Sequence, residues 1–289
     1  MTRIRVLMAL IMAPVAIAAI LLLPTSWLSP LAAIVLLIGL WEWLKLAGVQ
    51  DSLSRTVLLL LNLLLMVLLV WASRTEESGF SPVLFQITSL IGVGWWGISL
   101  IWLKLFKATA NDGRLVRAAK LAAGTLAIVP AWCALCLLHS DNFSSAPTPG
   151  SHFNAHLWLL SALMIVWAAD SGAYFAGRHF GKRKLAPIIS PNKTVEGAIG
   201  GILAGIVIVL PFGWGLGIPS AQWPILMLVA LITVLASIVG DLFESLLKRH
   251  ADAKDSGALI PGHGGMLDRI DSLLAALPIF LLSKEISGL

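Results

Sequence analysis

Long apolar runs constrain the fold of this chain more than any other feature. A membrane-crossing helix needs about 20 mostly apolar residues, because the hydrocarbon core of a bilayer is about 30 Å thick. Nine runs approach that length, at roughly 5–23, 30–47, 56–72, 83–103, 118–138, 155–177, 197–218, 222–247 and 269–288. Hydrophobic residues make up 58% of the chain and charged residues only 12%, which leaves too little polar surface for a soluble domain. The sequence therefore predicts an all-α integral membrane protein with nine transmembrane helices.

Basic residues are distributed unevenly between alternate connections of these runs. With the N-terminus in the cytoplasm, 18 of the 20 Lys and Arg residues fall on the cytoplasmic side, and only Arg74 and Lys284 fall outside. Because basic residues stay mostly cytoplasmic, the pattern predicts a cytoplasmic N-terminus and a C-terminus on the opposite side. The same pattern accounts for the net charge of +5, so we expect no nucleic-acid partner.

The chain divides into two regions by content. Residues 1–150 hold five predicted spans and offer little beyond apolarity, so we expect an N-terminal transmembrane region there. Residues 151–289 hold four spans, longer cytoplasmic loops and most of the ionisable residues within spans. Since ionisable residues inside a membrane are costly and usually functional, we expect the second region to be catalytic.

Acidic residues within the spans cluster at one depth. Asp170 and Asp241 lie about 10 Å and about 9 Å from the cytoplasmic ends of their spans, at 1.5 Å per residue, and Glu244 extends the face of Asp241. Asp268 and Asp271 begin the last span on one helical face. Carboxylates crowded together repel one another unless cations pair with them, and Mg²⁺ prefers oxygen ligands. The sequence therefore predicts a metal site near the cytoplasmic face.

Basic and small residues suited to phosphate lie near these acids. The segment 190–197 enters the seventh span from the cytoplasmic side, and the glycine-rich run 262–265 precedes the last helix, where backbone amides can approach an anion. The basic residues are Lys193, Lys248, Arg249, Lys254 and Arg269. Together with the acids they indicate a site that handles phosphate groups.

The run from Ser245 to Asp271 resembles the signature of a known family. Its segments Ser245–Arg249, Lys254–Asp255 and Pro261–Asp271 are similar to the pattern of phosphatidate cytidylyltransferases, also called CDP-diacylglycerol synthases, over 27 positions. The segments Asp170–Tyr174 and Ser190–Gly197 also look like motifs of that family. The resemblance implies transfer of a cytidylyl group from CTP to phosphatidic acid, which gives CDP-diacylglycerol and pyrophosphate in phospholipid biosynthesis.

The resemblance and the common depth of the acids together suggest roles for single residues. Asp241, Asp268 and Asp271 are expected to be catalytic and to hold Mg²⁺, with a second metal ion left open. Lys248 and Arg249 are the other catalytic candidates. The substrate-binding candidates are Ser190, Lys193, Thr194, Lys254, His263, Arg269 and Asp170.

The same reading names partners and a location. We expect CTP, phosphatidic acid of the inner leaflet and membrane lipids as partners, and we leave open whether the chain forms a homo-oligomer. The expected location is a bacterial inner membrane, with the site facing the cytoplasm.

A cation- or proton-coupled transporter is the alternative function. It would also place acids on several spans, often with helices broken near the midplane. Here the acids lie toward the cytoplasmic third and no inverted repeat is visible, so the enzyme is favoured.

Other residues are expected to be structural. Gly197, Gly201 and Gly205 are spaced by four and predict close approach of a neighbouring helix. Glu42, between two tryptophans and beside a lysine, is expected to be an interfacial carboxylate that snorkels to water or pairs with a cation. The pair Cys133 and Cys136 is expected to be small packing residues. The histidines expected to be solvated in an outer loop are His139, His152 and His156.

Overall fold

The computed structural model describes residues 2–74, 80–105, 113–140, 151–259 and 264–289, and side chains in 2–11 and 151–153 are left out of the description. Within these ranges the chain forms nine α-helices and one short antiparallel hairpin. The helices are α1 (Thr2–Leu22), α2 (Thr25–Leu46), α3 (Ser52–Ala72), α4 (Val83–Lys104), α5 (Arg114–His139), α6 (Ser151–Phe180), α7 (Val195–Gly215), α8 (Trp223–His250) and α9 (Leu267–Ser287). The hairpin strands are β1 (Lys184–Ala186) and β2 (Ser190–Thr194).

Among the residues that the structure describes, seven helices are long and apolar enough to cross a membrane. Their candidate spans are Thr25–Leu46, Ser52–Ala72, Val83–Lys104, Arg114–His139, Asn154–Phe180, Val195–Gly215 and Ser220–His250. The predicted class of α-helical integral membrane protein is thus confirmed, and the small hairpin is an addition to it. The count of nine spans and the direction of the termini stay predictions. Helix α9 falls outside the seven because five charged residues lie within its 21 positions.

The ends of the helices meet in two groups. His139, at the end of α5, contacts the Thr25 hydroxyl at the start of α2, with 2.9 Å between Nδ1 and Oγ1. The Lys284 ammonium, near the end of α9, lies over the ring of Trp158 near the start of α6. The end of α8 and the start of α9 lie together in another group, joined by a salt bridge. This arrangement fits helices that alternate in direction.

An aromatic core anchors the acid-bearing part of α8. Phe243 is fully buried, and its ring centroid lies 5.7 Å from that of Trp43, 5.6 Å from that of Trp95 and 5.7 Å from that of Trp102. These rings come from α2 and α4, so both halves of the chain contribute to one core. The division into residues 1–150 and 151–289 therefore stays a prediction. Side chains from both regions pack together in this core.

Glycines let α7 pack closely on α6 and α8. A Cβ atom at Gly197 would lie 2.9 Å from the Ala173 carbonyl oxygen, and one at Gly201 would lie 2.8 Å from that of Ala169. Gly205 packs instead on the Val234 side chain of α8, where a Cβ atom would approach within 2.5 Å. The predicted close approach at these glycines is confirmed, and it brings α6 and the hairpin beside α8.

The expectation of solvated outer histidines is wrong for His139 and His156. His139 is fully buried, and its ring stacks on that of His156 with centroids 3.9 Å apart. The reason is that α5 continues through His139, so the residue packs between helix ends rather than lying in a loop. The side chain of His152 is outside the described residues. Cys133 and Cys136 are buried free thiols, as expected for packing residues.

Candidate active site

A cavity of about 650 Å³ lies between α6, α7, α8 and the hairpin. Five of the predicted site residues line it: Asp170, Ser190, Lys193, Thr194 and Asp241. They come from three elements, α6, β2 and α8, and the close packing of α7 on α6 brings these elements together. Acidic and basic side chains thus share one concave surface, which is the usual form of a small-molecule site.

An acidic cluster lies beside this cavity. Asp241 and Glu244 of α8 and Asp271 of α9 each place one carboxylate oxygen within 4.8 Å of the others. Gly240 makes the approach possible, because a Cβ atom at this position would overlap the Asp271 carbonyl oxygen. Asp170 interacts electrostatically with Asp241 and Asp271, so a fourth carboxylate adds to the negative charge. We call Asp241, Glu244 and Asp271 the acidic cluster.

The acidic cluster fits a divalent metal ion by its chemistry. Glu244 is only 1% exposed, and its Oε1 atom is buried without a hydrogen-bond partner among the described residues. A buried carboxylate oxygen with no donor is costly, and a cation would satisfy it. The groups that the cluster offers to a metal ion are all carboxylate oxygens, the type of ligand that Mg²⁺ prefers. Glu244 lies on the helical face expected from its spacing to Asp241, but it was not among the predicted ligands.

Asp268 lies next to the acidic cluster, and its predicted role as a metal ligand stays a prediction. Its Oδ1 atom accepts a hydrogen bond from the Lys248 ammonium at 2.8 Å. Its Oδ2 atom accepts from the amide of Ser256 at 3.1 Å and from that of Gly265 at 2.8 Å. The structure therefore brings Asp241 and Asp271 together with Glu244, whereas Asp268 holds the connection between α8 and α9.

Lys248 links Asp268 to the acidic cluster. Its ammonium lies 2.5 Å from the Glu244 Oε2 atom as well as 2.8 Å from the Asp268 Oδ1 atom. All three side chains are largely buried, so the pairing is weakly screened by water. Lys248 thus balances charge within the site instead of projecting freely into the cavity.

The hairpin carries the second basic group of the site. Lys193 forms an ion pair with the Oδ2 atom of Asp241 across the cavity. Arg249 donates from Nε to the carbonyl oxygen of Ile189 at 3.2 Å, which fixes α8 to the start of the second strand. Thr194 caps α7, since its Oγ1 atom accepts from the amide of Gly197 at 3.1 Å. Arg249 and Thr194 therefore make contacts that position the hairpin.

Two other predicted residues, Lys254 and Arg269, do not line the cavity. Lys254 is exposed in the connection between α8 and α9. Arg269 is exposed in the first turn of α9 and interacts electrostatically with Asp170. His263 lies outside the described residues.

Two cavity residues were missed as site candidates. Tyr174 and Arg178 follow Asp170 by four and eight positions, so the three share one face of α6, and all three line the cavity. The Arg178 Nη1 atom donates to the Tyr174 hydroxyl at 3.1 Å. The spacing from Asp170 was the signal in the sequence, but Arg178 was counted only among the basic residues of the cytoplasmic side.

Glu42 is buried, so the expected snorkelling is wrong. The side chain belongs to α2 and is 6% exposed. Its Oε2 atom accepts from the Ser256 hydroxyl at 2.8 Å and from the amide of Leu267 at 2.8 Å. Glu42 therefore ties the N-terminal half of the chain to the connection between α8 and α9.

Comparisons with a family model and with single known proteins indicate the same family. The model of the cytidylyltransferase family matches residues 3–286. A phosphatidate cytidylyltransferase of Pseudomonas aeruginosa is 36% identical over 278 residues, covering 96% of this chain and 94% of the relative. One from Haemophilus influenzae is 34% identical over 282 residues, covering 96% of each chain. One from Bacillus subtilis is 48% identical over 128 residues, covering 44% of this chain and 47% of the relative. With a match that extends over nearly its whole length, this chain belongs to the cytidylyltransferase family.

Proposed function

We propose that this chain is a phosphatidate cytidylyltransferase. It transfers a cytidylyl group from CTP to phosphatidic acid and produces CDP-diacylglycerol and pyrophosphate. Two relatives with this name align with almost the whole chain. The structural observation that carries the proposal is the acidic cluster beside a cavity that also contains Lys193 and Arg178. Acids and cations arranged in this way suit a reaction between two phosphate-bearing substrates.

The reaction needs no nucleophile from the protein. A phosphate oxygen of phosphatidate attacks the α-phosphorus of CTP, a new P–O bond forms, and the bond from the α-phosphorus to the bridging oxygen breaks to release pyrophosphate. Asp241, Glu244 and Asp271 would hold Mg²⁺, which supplies charge neutralisation at the phosphoryl oxygens when bound. The protein side chains then bind and orient the substrates.

The basic residues have distinct parts in this scheme. Lys193 is paired with Asp241 in the described structure, so a phosphate in the cavity would compete for its ammonium. Lys248 stays between Glu244 and Asp268 and keeps the cluster from carrying an uncompensated charge. Arg178, oriented by Tyr174, presents a guanidinium suited to a second phosphate.

The two substrates reach the cavity from different directions in this proposal. CTP is soluble and enters from the cytoplasm. Phosphatidate is confined to the inner leaflet and enters the cavity laterally from the bilayer. The lining of the cavity supports entry from both sides, because the apolar side chains of Val234 and Ile238 line it beside the charged Asp241. A cavity open to both phases allows the substrates to react within one ternary complex.

Formation of a lipid product tests the proposed activity against the transporter alternative. The full-length chain is purified in detergent and mixed with phosphatidate, Mg²⁺ and CTP that is radiolabelled at the α-phosphate. We expect label in the organic phase and release of pyrophosphate, and neither without phosphatidate. A chain that yields no lipid-soluble label, but moves cations across liposomes, would support the transporter instead.

Replacement of Lys193 is expected to weaken substrate binding. Lys193→Met should lower kcat/KM for CTP by about 10- to 100-fold, since a charge-assisted hydrogen bond contributes about 1.5–3 kcal/mol. Lys193→Arg should retain more of the activity because it keeps the charge. The matched control is Lys182→Met, at an exposed position before the same hairpin. Steady-state kinetics that place Lys193→Met level with Lys182→Met would exclude Lys193 from phosphate binding.

The orientation of the chain in the membrane is the subject of a separate prediction. A reporter enzyme fused after Gly150 should lie on the outer side, and one inserted at 182–186 should lie in the cytoplasm, because the distribution of basic residues sets the direction of the spans. Accessibility of each reporter in intact cells measures this. The reverse pattern would contradict a site that faces the cytoplasm.

A further inference from the structure

Glu42 is held by contacts that converge on its carboxylate from the opposite half of the chain. One oxygen accepts two hydrogen bonds of 2.8 Å, from the Ser256 hydroxyl and the Leu267 amide. The backbone of Gly257 and that of Gly265 lie so close that a Cβ atom at either position would overlap this carboxylate. Backbone packed this tightly around a buried carboxylate fixes the position of the connection between α8 and α9 at both glycines.

Ser256 carries this contact on to Asp268. Its Oγ atom lies 2.8 Å from the Glu42 Oε2 atom and 3.0 Å from the Asp268 Oδ2 atom, and its amide donates to the same Asp268 oxygen at 3.1 Å. The second oxygen of Asp268 accepts from Lys248, which also pairs with Glu244. An unbroken series of polar contacts therefore runs from Glu42 of α2 to the acidic cluster.

Glu42 has no contact with the cavity itself, whose lining residues come from α6, the hairpin, α7 and α8. Its influence on the site passes through Ser256, Asp268 and Lys248, and through the Leu267 amide at the start of α9. Lys248 contacts Glu244 directly, and partners that contact a ligand in this way orient it and tune its charge.

We propose that Glu42 is a positioning residue for the cytidylyl transfer. It fixes Ser256 and the start of α9, so that Asp268 and Lys248 hold Glu244 in place within the acidic cluster. The effect on catalysis rests on the proposed role of the acidic cluster, whereas the hold on the connection between α8 and α9 does not.

Two variants of Glu42 test whether its accepted hydrogen bonds are what positions the connection. Glu42→Ala removes both hydrogen bonds, whereas the amide oxygen of Glu42→Gln can still accept both. The matched control is Thr25→Val, which removes hydrogen bonds to His139 from the opposite end of the same helix. All three are compared as full-length proteins in detergent that elute as folded species.

Kinetics and proteolysis are measured on each variant. For Glu42→Ala we expect kcat to fall by about 10- to 100-fold, as for other residues that orient metal ligands, with KM for CTP changed by less than about threefold. Trypsin cleavage after Lys254, followed by mass spectrometry, should become at least about tenfold faster, because the connection opens locally more often. Glu42→Gln and Thr25→Val should both resemble the wild type in kcat and in cleavage rate.

Other outcomes would overturn the proposal. Equal loss of kcat in Glu42→Ala and Thr25→Val would mean that α2 acts only through general stability. A Glu42→Gln variant as impaired as Glu42→Ala would mean that the two accepted hydrogen bonds are not what matters. The proposed function fails separately: an active Asp271→Asn variant would remove the role of the cluster, while faster cleavage in Glu42→Ala would still establish the hold on the connection.

Discussion

Asp271→Asn is expected to lower kcat by about 1,000-fold at saturating Mg²⁺, equivalent to about 4 kcal/mol of transition-state stabilisation. Asp271 places a carboxylate oxygen within 4.8 Å of those of Asp241 and Glu244, and the substitution removes one of the three charges available to a metal ion. The side chain keeps its size, so α9 should still pack on α8. Turnover of labelled CTP into lipid measures the effect.

The control for this variant is the same substitution in an exposed connection. Asp252 has a left-handed backbone with φ of 48°, a conformation that asparagine adopts readily, so Asp252→Asn should keep full activity and stability. Near-normal turnover of Asp271→Asn, in a preparation that elutes and melts like the wild type, would remove Asp271 from the metal site.

Lys248→Met is expected to have a large effect on both stability and activity. Lys248 pairs with Glu244, whose side chain is 2% exposed, and with Asp268, whose side chain is 9% exposed. Removal of the cation leaves two carboxylates close together in a poorly hydrated place, and breaking a buried pair in this way costs about 3–5 kcal/mol. We expect the free energy of unfolding in detergent to fall by that amount and kcat to fall by at least about 100-fold.

A double variant separates the two effects of Lys248. Glu244→Gln combined with Lys248→Met removes one of the two uncompensated charges, so part of the lost stability should return, while activity stays low because the acidic cluster has lost a carboxylate. Lys45→Met, at an exposed position in the last turn of α2, is the matched control. Stability of the single Lys248 variant equal to that of the control would contradict the charge-balancing role.

Local patterns in the sequence were sufficient to predict much of the site. The apolar runs predicted the membrane class, and the depth of Asp170 and Asp241 along their helices placed both carboxylates at one level. Packing of α7 on α6 through glycines was predictable because the spacing of four repeats on one face. These features depend on helical geometry within one or two elements, which a sequence displays directly.

Contacts between distant segments could not be predicted in the same way. Glu42 and Ser256 are separated by 214 positions, and the tryptophans that flank Glu42 indicate a membrane interface rather than a buried contact. Asp268 shares a helical face with Asp271, yet one of its oxygens accepts from the amides of Ser256 and Gly265 in the connection, while the other accepts from Lys248 beside the acidic cluster. Packing between helices decides which partner each carboxylate contacts. The spacing of residues within one helix does not show this packing.

Steady-state kinetics with both substrates varied test most directly the claim that CTP and phosphatidate react with each other in one cavity. We expect intersecting lines in double-reciprocal plots, and no labelled protein after incubation with α-labelled CTP alone. Parallel lines, together with isolation of a covalent enzyme–cytidylyl species that passes its label to phosphatidate, would contradict direct transfer.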